Sequence, residues 1–126
     1  MSNLIPSMLV IDADPMFHSL IEAHFHNSIK EIHGASTLQD GISLLARHRE
    51  IRFVLVSLSN SVHAAAQILE LNPGANIICI HSGLVTPSMK EEAKKIGARI
   101  LVSKPLNLLY LTLLLEALTK QSKPSD

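Results

Sequence analysis

The chain has 126 residues, 47% of them hydrophobic and 17% charged, with a mean hydropathy of +0.27; this is the composition of one compact domain and excludes a disordered polymer. A chain of this length buries roughly two thirds of its unfolded surface, so it needs no metal or disulfide staple, and the lone Cys79 has no internal partner to bridge. Lys plus Arg and Asp plus Glu both number 11, and Phe17, Phe25, Phe53 and Tyr110 are the only aromatics, which excludes both a basic field for phosphate backbones or anionic lipid and a platform for stacking bases.

The first residues lack the basic start, apolar run and small-residue cleavage site of a secretory signal, so a cytoplasmic protein is expected. Residues 8–11 form the first short apolar run, and Asp14-Pro15 after it is a helix entry: the carboxylate accepts from free N–H groups and proline at the first helical position loses nothing. A second run at 29–32 precedes Ser36-Thr37-Leu38-Gln39, which fits a capping box, with Leu38, Ile42 and Leu45 at helical spacing behind it. The third run, 53–58, leads to a helix over about 61–71 that stops at Asn72-Pro73-Gly74. After a fourth run at 77–80, Thr86-Pro87 opens a helix that Gly97 ends; after a fifth at 100–102, Asn107 caps the last helix. The longest apolar stretch, 108–118, is broken by Thr112 and Glu116 and falls far short of the ~20 residues of a membrane span. Residues 1–119 are thus expected to form one domain, and the polar segment 120–126 a tail or linker.

Short β-branched runs alternating with helix-period segments predict an α/β fold with a parallel sheet, whose strands read as continuous apolar residues because both faces are covered. Such sheets bind ligands beyond the carboxyl ends of their strands. The residues placed there are Asp12 and Asp14, Ser57, Ser82 and Lys104, so four strands deliver polar groups to one edge.

Four segments carry a resemblance: Leu9-Val10-Ile11-Asp12-Ala13-Asp14-Pro15, Phe53-Val54-Leu55-Val56-Ser57-Leu58, Ile78-Cys79-Ile80-His81-Ser82-Gly83 and Gly97-Ala98-Arg99-Ile100-Leu101-Val102-Ser103-Lys104-Pro105. Together they make nearly the whole chain resemble the receiver domains of bacterial two-component response regulators. The last segment is the most specific, because Gly-Ala, a strand and Lys-Pro stand in the family's register. The resemblance implies a flavodoxin-like, doubly wound, five-stranded parallel sheet in the order 2-1-3-4-5 with five helices, and a cis peptide before Pro105. It also implies a phosphorylation pocket at Asp12, Ala13, Asp14, Ser57, Ser82, Lys104 and Pro105, and a switch position at Leu101. The departures fall in that pocket. Ala13 stands where receivers carry a second acid, Ser57 where they carry the phosphorylated aspartate, and Leu101 where they carry an aromatic; Ser59-Asn60-Ser61 lacks the usual Pro and Asp-Gly turn.

Receiver chemistry requires a carboxylate nucleophile, a Mg²⁺ that gathers phosphoryl oxygens, and a lysine with a hydroxyl that stabilises the transferred group. With Ala13 and Ser57 in place, both direct carboxylate ligands of the ion are missing, so no metal, no cofactor and no enzymatic activity are expected. Ser57 reads as a neutral filler of the acceptor position; a seryl ester made there by a Ser/Thr kinase would not be the labile acyl phosphate of a phosphorelay. Lys104 is then left with Asp12, and a resting ion pair or water-bridged contact between them is expected. Of the seven histidines, His24 and His26 point to different faces of one helix, and His18, His33, His48 and His63 show no liganding spacing; most are expected at surface or boundary positions, and His81 abuts Ser82. The sequence also lacks a dinucleotide fingerprint, a phosphate-binding Lys-Ser/Thr loop, a nucleophile elbow around Ser57 and a cobalamin motif.

In the fifth helix nine of the eleven residues after the cap are apolar. Leu108, Leu111, Leu115 and Leu118 make one buried stripe, leaving Leu109, Tyr110, Leu113, Leu114 and Ala117 for flanks or solvent, where contiguous apolar surface marks an interface. Receivers commonly dimerise through their fourth helix, fifth strand and fifth helix, so the expected partner is a protein or a second copy on that face, with no nucleic acid and no membrane. The first expectation is a degenerate receiver, a signalling module that works by protein contacts without phosphorylation. The alternatives are a working phosphorelay receiver with another acceptor such as Asp14, or a small-molecule-binding α/β domain using Asp12, Ser57, Ser82 and Lys104. The polar tail suits either a whole protein or the first domain of a longer regulator with a linked C-terminal output domain.

Overall fold

The computed structural model describes residues 5–57 and 61–122, the side chains of 61–63 and 121–122 excepted. Ten elements alternate along the chain: β1 (Met8–Ile11), α1 (Pro15–Phe25), β2 (Ile32–Ala35), α2 (Leu38–Arg47), β3 (Phe53–Ser57), α3 (Ser61–Leu71), β4 (Asn76–Ser82), α4 (Pro87–Lys95), β5 (Ile100–Lys104) and α5 (Leu108–Ser122). The five strands pair in parallel in the order β2-β1-β3-β4-β5. This is the expected doubly wound architecture, with the order reversing between β1 and β3.

Alternate residues of each strand enter opposite cores, which is why the central strands are apolar without a break. Leu9, Ile11, Val54, Val56, Ile77 and Cys79 are buried against α2, α3 and α4, with Leu45, Ile68 and Ala93 among their partners. Met8, Val10, Phe53, Leu55, Ile78 and Ile80 are buried on the other face against Phe17, Ile21 and Phe25 of α1 and Leu111, Leu115 and Leu118 of α5. Three layers therefore hold the sheet edge on which the polar residues collect.

Local signals place most boundaries. Asp14 caps α1, its carboxylate accepting from the Met16 N–H at 2.9 Å with Pro15 next. Thr86 Oγ1 accepts from Met89 N, and Asn107 Oδ1 from Tyr110 N, at the starts of α4 and α5. Gly97 ends the α4 turn at φ +99, where its hydrogen avoids a Cβ that would lie 2.8 Å from Leu69 Cδ1.

Other expectations are corrected. The second strand lies at Ile32–Ala35 and not at 29–32; Ile29 makes only an isolated bridge to Ile5, and the true strand is an edge that carries His33 and Gly34. The cap of α2 is Thr37, accepting from Asp40 N at 3.1 Å, one residue later than a box opened by Ser36. β4 and β5 each run two residues past the expected apolar ends, to Ser82 and Lys104, because ladder pairing continues into their polar tips. Leu114 was expected on the exposed flank but is half-buried against the α1–α5 core: with Leu111, Leu115 and Leu118 it completes an i, i+3, i+4, i+7 stripe. α5 continues through Ser122 into the segment read as a tail. Leu58, Ser59, Asn60, the His63 side chain and residues 123–126 lie outside the described residues. No helix among the described residues is long and apolar enough to cross a membrane.

Candidate functional site

Asp12 is the first residue after β1, and its N–H still donates to Ala35 O at 3.0 Å, so the ladder fixes its backbone. Its side chain is only 6% exposed. One carboxylate oxygen, Oδ1, accepts from the Asp14 N–H at 2.8 Å in a local turn, and the other, Oδ2, lies 2.8 Å from Lys104 Nζ. Lys104 closes β5, in register with Ser82 of β4, and Lys104-Pro105 is the cis peptide that the resemblance implied. Its ammonium also sits 4.3 Å from the centroid of the buried Phe17 ring, so a carboxylate and an aromatic face hold it from two sides.

Phe17 and His18 are the parts of this site that sequence reasoning missed. Both stand in the first turn of α1, and the Asp14-Pro15 entry aims that turn at the strand edge. His18 Nε2 lies 2.7 Å from Asp12 O; a carbonyl only accepts, so Nε2 carries the proton and donates. Gly34 leaves room for that ring, since a Cβ there would fall 2.8 Å from His18 Nδ1. The sequence signal was present in a histidine one turn after a helix entry and a glycine in the neighbouring strand.

The remaining residues divide. Ser57 ends β3 half-buried, one position after Val56, the partner of Ile11, and so stands beside Asp12. Ser82 is exposed beside Lys104, Ala13 is exposed, and Asp14 is exposed with its carboxylate capping α1. Leu101 is buried in the core facing α2, α3 and α4, on the edge strand β5 beside Cys79 of β4.

A Mg²⁺ of the receiver kind does not fit this donor set. Such an ion keeps near-octahedral oxygen geometry with one or two carboxylates. Here Asp12 already has an N–H on one oxygen and an ammonium on the other, Asp14 is committed to its helix, and the remaining two positions are alanine and serine.

Beside Asp12 lies an open pocket of about 310 Å³ lined by Asp12, Ala13, Pro15, His18, Gly34 and Ser36 among others; a larger hollow lies elsewhere. Between α4 and α5, over β5, runs an open cleft of about 530 Å³ lined by Val85, Lys90, Lys94, Arg99, Leu106 and Tyr110 among others. None of Asp12, Ser57, Ser82 or Lys104 lines it. Leu109, Tyr110 and Leu113 stand on α5 at 68%, 47% and 56% exposure, with Ala117 exposed below them.

No protein-family model matches the sequence, and no curated protein matches it. Solved structures do match. A response regulator from Thermotoga maritima superposes with a TM-score of 0.82 at 20% identity, over 93% of this chain and 99% of that one. The signal receiver domain of a putative Luxo repressor protein from Vibrio parahaemolyticus gives a TM-score of 0.83 at 15% identity, over 94% and 93%. The beryllofluoride-activated NtrC4 receiver domain, solved as a dimer, gives 0.83 at 18% identity, over 93% and 98%. Strand order, helix placement and these superpositions agree: the fold of this chain is that of the CheY-like receiver domains.

Proposed function

We propose that the chain is a cytoplasmic signalling module of receiver type that works through protein contacts, without phosphorylation and without catalysis of its own. The observation that carries this is the Asp12–Lys104 ion pair, closed at 2.8 Å in a pocket whose two other acid positions are Ala13 and Ser57. A lysine held by a carboxylate and an aromatic ring is already partnered without a phosphoryl group, and the two positions that would bring further acids to it are alanine and serine. The commitment of Asp14 to the α1 cap speaks against its use as a substitute acceptor. The pocket at the strand ends is lined by Asp12 but by none of Ser57, Ser82 and Lys104, and the cleft over β5 by none of the four, which speaks against a small-molecule site built on all of them together.

The test is to add beryllofluoride with Mg²⁺ while following the backbone amides of Asp12, Ser57 and Lys104, and acetyl phosphate with Mg²⁺ while following intact mass. Unchanged amides and unchanged mass are the expected result. A Mg²⁺-dependent shift, or a phosphoryl adduct that hydroxylamine removes, overturns the reading.

The partner surface in this reading is the face of α4, β5 and α5, and its occupant a second copy of the chain. Exposed Leu109, Tyr110 and Leu113 supply apolar contact, while exposed Lys90, Lys94, Glu91 and Glu92 of α4 carry both signs of charge. A face of mixed sign complements itself across a two-fold axis. Leu113→Glu puts a charge at the centre of the apolar part and is expected to weaken association roughly tenfold or more, read by light scattering at high micromolar concentration. A parent chain that is monomeric there, and indifferent to Leu113→Glu, removes self-association.

A further inference from the structure

The fold brings together residues that the sequence kept apart. His33 pairs with Leu9 in the ladder and therefore faces the same side of the sheet, the side covered by α2. His48 is the C-cap of α2, on the connection that leads to β3, so it arrives over the same strand. The two imidazole rings stack with centroids 4.3 Å apart and planes 29° apart. Carboxylates flank the stack: Glu31 Oε1 is 3.5 Å from His33 Nε2, and Glu50 Oε2 is 3.5 Å from His48 Nδ1. Spacing along the chain gives these histidines no liganding pattern, because it says nothing of strands and helix ends that meet in space.

One ligand atom from each of His33, His48 and Glu50 falls within 4.8 Å of the other two, the one such group of three among the described residues. His33 Nε2 is buried and makes no hydrogen bond among the described residues, with Glu31 Oε1 at 3.5 Å, so its ring holds a polar atom that a cation would satisfy. Around a tetrahedral ion with metal–nitrogen bonds near 2.0–2.1 Å, neighbouring ligand atoms stand about 3.3 Å apart, so the three atoms need to close by up to about 1.5 Å, and Glu31, outside that group of three, has to swing in as well. The His48 and Glu50 side chains, 34% and 53% exposed, have room for that rotation. Two imidazoles with a carboxylate suit zinc and its neighbours in the first transition row, whereas Mg²⁺ and Ca²⁺ select oxygen ligands. With both imidazoles neutral, the four side chains carry two negative charges, which a divalent cation offsets.

We propose that His33, His48 and Glu50, with Glu31 at the fourth position, bind a zinc-class divalent cation. The ion fastens the edge strand β2 to the end of α2. This site lies toward the amino-terminal ends of the strands, away from Asp12 and Lys104, and is independent of the receiver reading.

The test titrates the metal-free full chain with Co²⁺, followed by visible absorption, and then displaces it with Zn²⁺ in the presence of excess Mg²⁺. One Co²⁺ per chain, with tetrahedral absorption bands, displacement by Zn²⁺ and indifference to Mg²⁺ are expected. His48→Asn and Glu50→Gln, at partly exposed positions outside the core, are each expected to weaken binding at least about tenfold, since even groups that only support a ligand change affinity by ~10–100-fold. Circular dichroism confirms that each variant is folded. Absence of saturable binding overturns the proposal, as does binding that survives both substitutions unchanged and so belongs to other histidines.

Discussion

Lys104→Met is expected to lower unfolding free energy by about 3 kcal/mol, because it strands a buried carboxylate without its counter-charge. The Asp12 side chain is 6% exposed and that of Lys104 22%, so the two ends of the pair are not equivalent. Removing the lysine leaves a charge that water cannot reach. Removing the acid leaves an ammonium on a flexible stem that can turn toward solvent, so Asp12→Asn is expected to cost less, about 1–2 kcal/mol. The Asp12→Asn/Lys104→Met double variant recovers part of the loss, since neither charge remains. For a chain of this length, 3 kcal/mol corresponds to a drop in Tm of about 10 °C. Urea melts of the four proteins check the ordering. A Lys104→Met variant within about 0.5 kcal/mol of the parent would show a pair screened by solvent in the way of a surface ion pair.

The second large effect is a gain. Ser57 stands beside Asp12 on the neighbouring strand, and adjacent strands are only about 4.8 Å apart. Ser57→Asp therefore sets two carboxylates against the single Lys104, and Ala13→Asp adds a third at the same edge. Without a cation, their mutual repulsion destabilises the Ala13→Asp/Ser57→Asp chain relative to the parent. With Mg²⁺ the order changes, because the edge now offers the oxygen ligands that the parent lacks. At a Mg²⁺ concentration ten times its dissociation constant, the variant gains about 1.4 kcal/mol, or about 5 °C in Tm, while the parent does not move. Differential scanning across a Mg²⁺ series measures this. A parent stabilised as much as the variant would mean that Asp12 holds the ion without help, and the argument from Ala13 and Ser57 would fail.

The layout of the fold was legible because its signals are local. β1 and β3 lie in the middle of the sheet, so both faces of each are covered and the runs at 8–11 and 53–56 are apolar throughout. β2 was displaced because an edge strand needs no such run: half-buried Ile32 and His33 and exposed Gly34 look like loop residues, while the greasier Ile29 lies outside the strand. Caps at Asp14, Thr86 and Asn107 are read within three residues and were found. In the site, the Asp12–Lys104 contact followed from the resemblance, which already ties the two strand ends together. The Phe17 ring over Lys104 was not legible, since it depends on how α1 leans on the sheet, and the His18 bond to Asp12 O left only the signal of a histidine after the helix entry and a glycine on β2, which names no partner. The His33–His48 stack was hidden for the same reason, being made by a strand and a helix end that only the finished layers bring together.

The Asp12–Lys104 contact also has a bearing on how the molecule comes apart. It joins the first strand to the last, with β3 and β4 standing between them in the sheet. The bond does not exist until every intervening unit has docked, and it is lost as soon as β5 lifts away. Detaching β5 and α5 alone would leave the Asp12 carboxylate buried and unmatched. Partial openings of this end are thereby made nearly as costly as wider ones, and the two halves of the chain are bound into one cooperative unit.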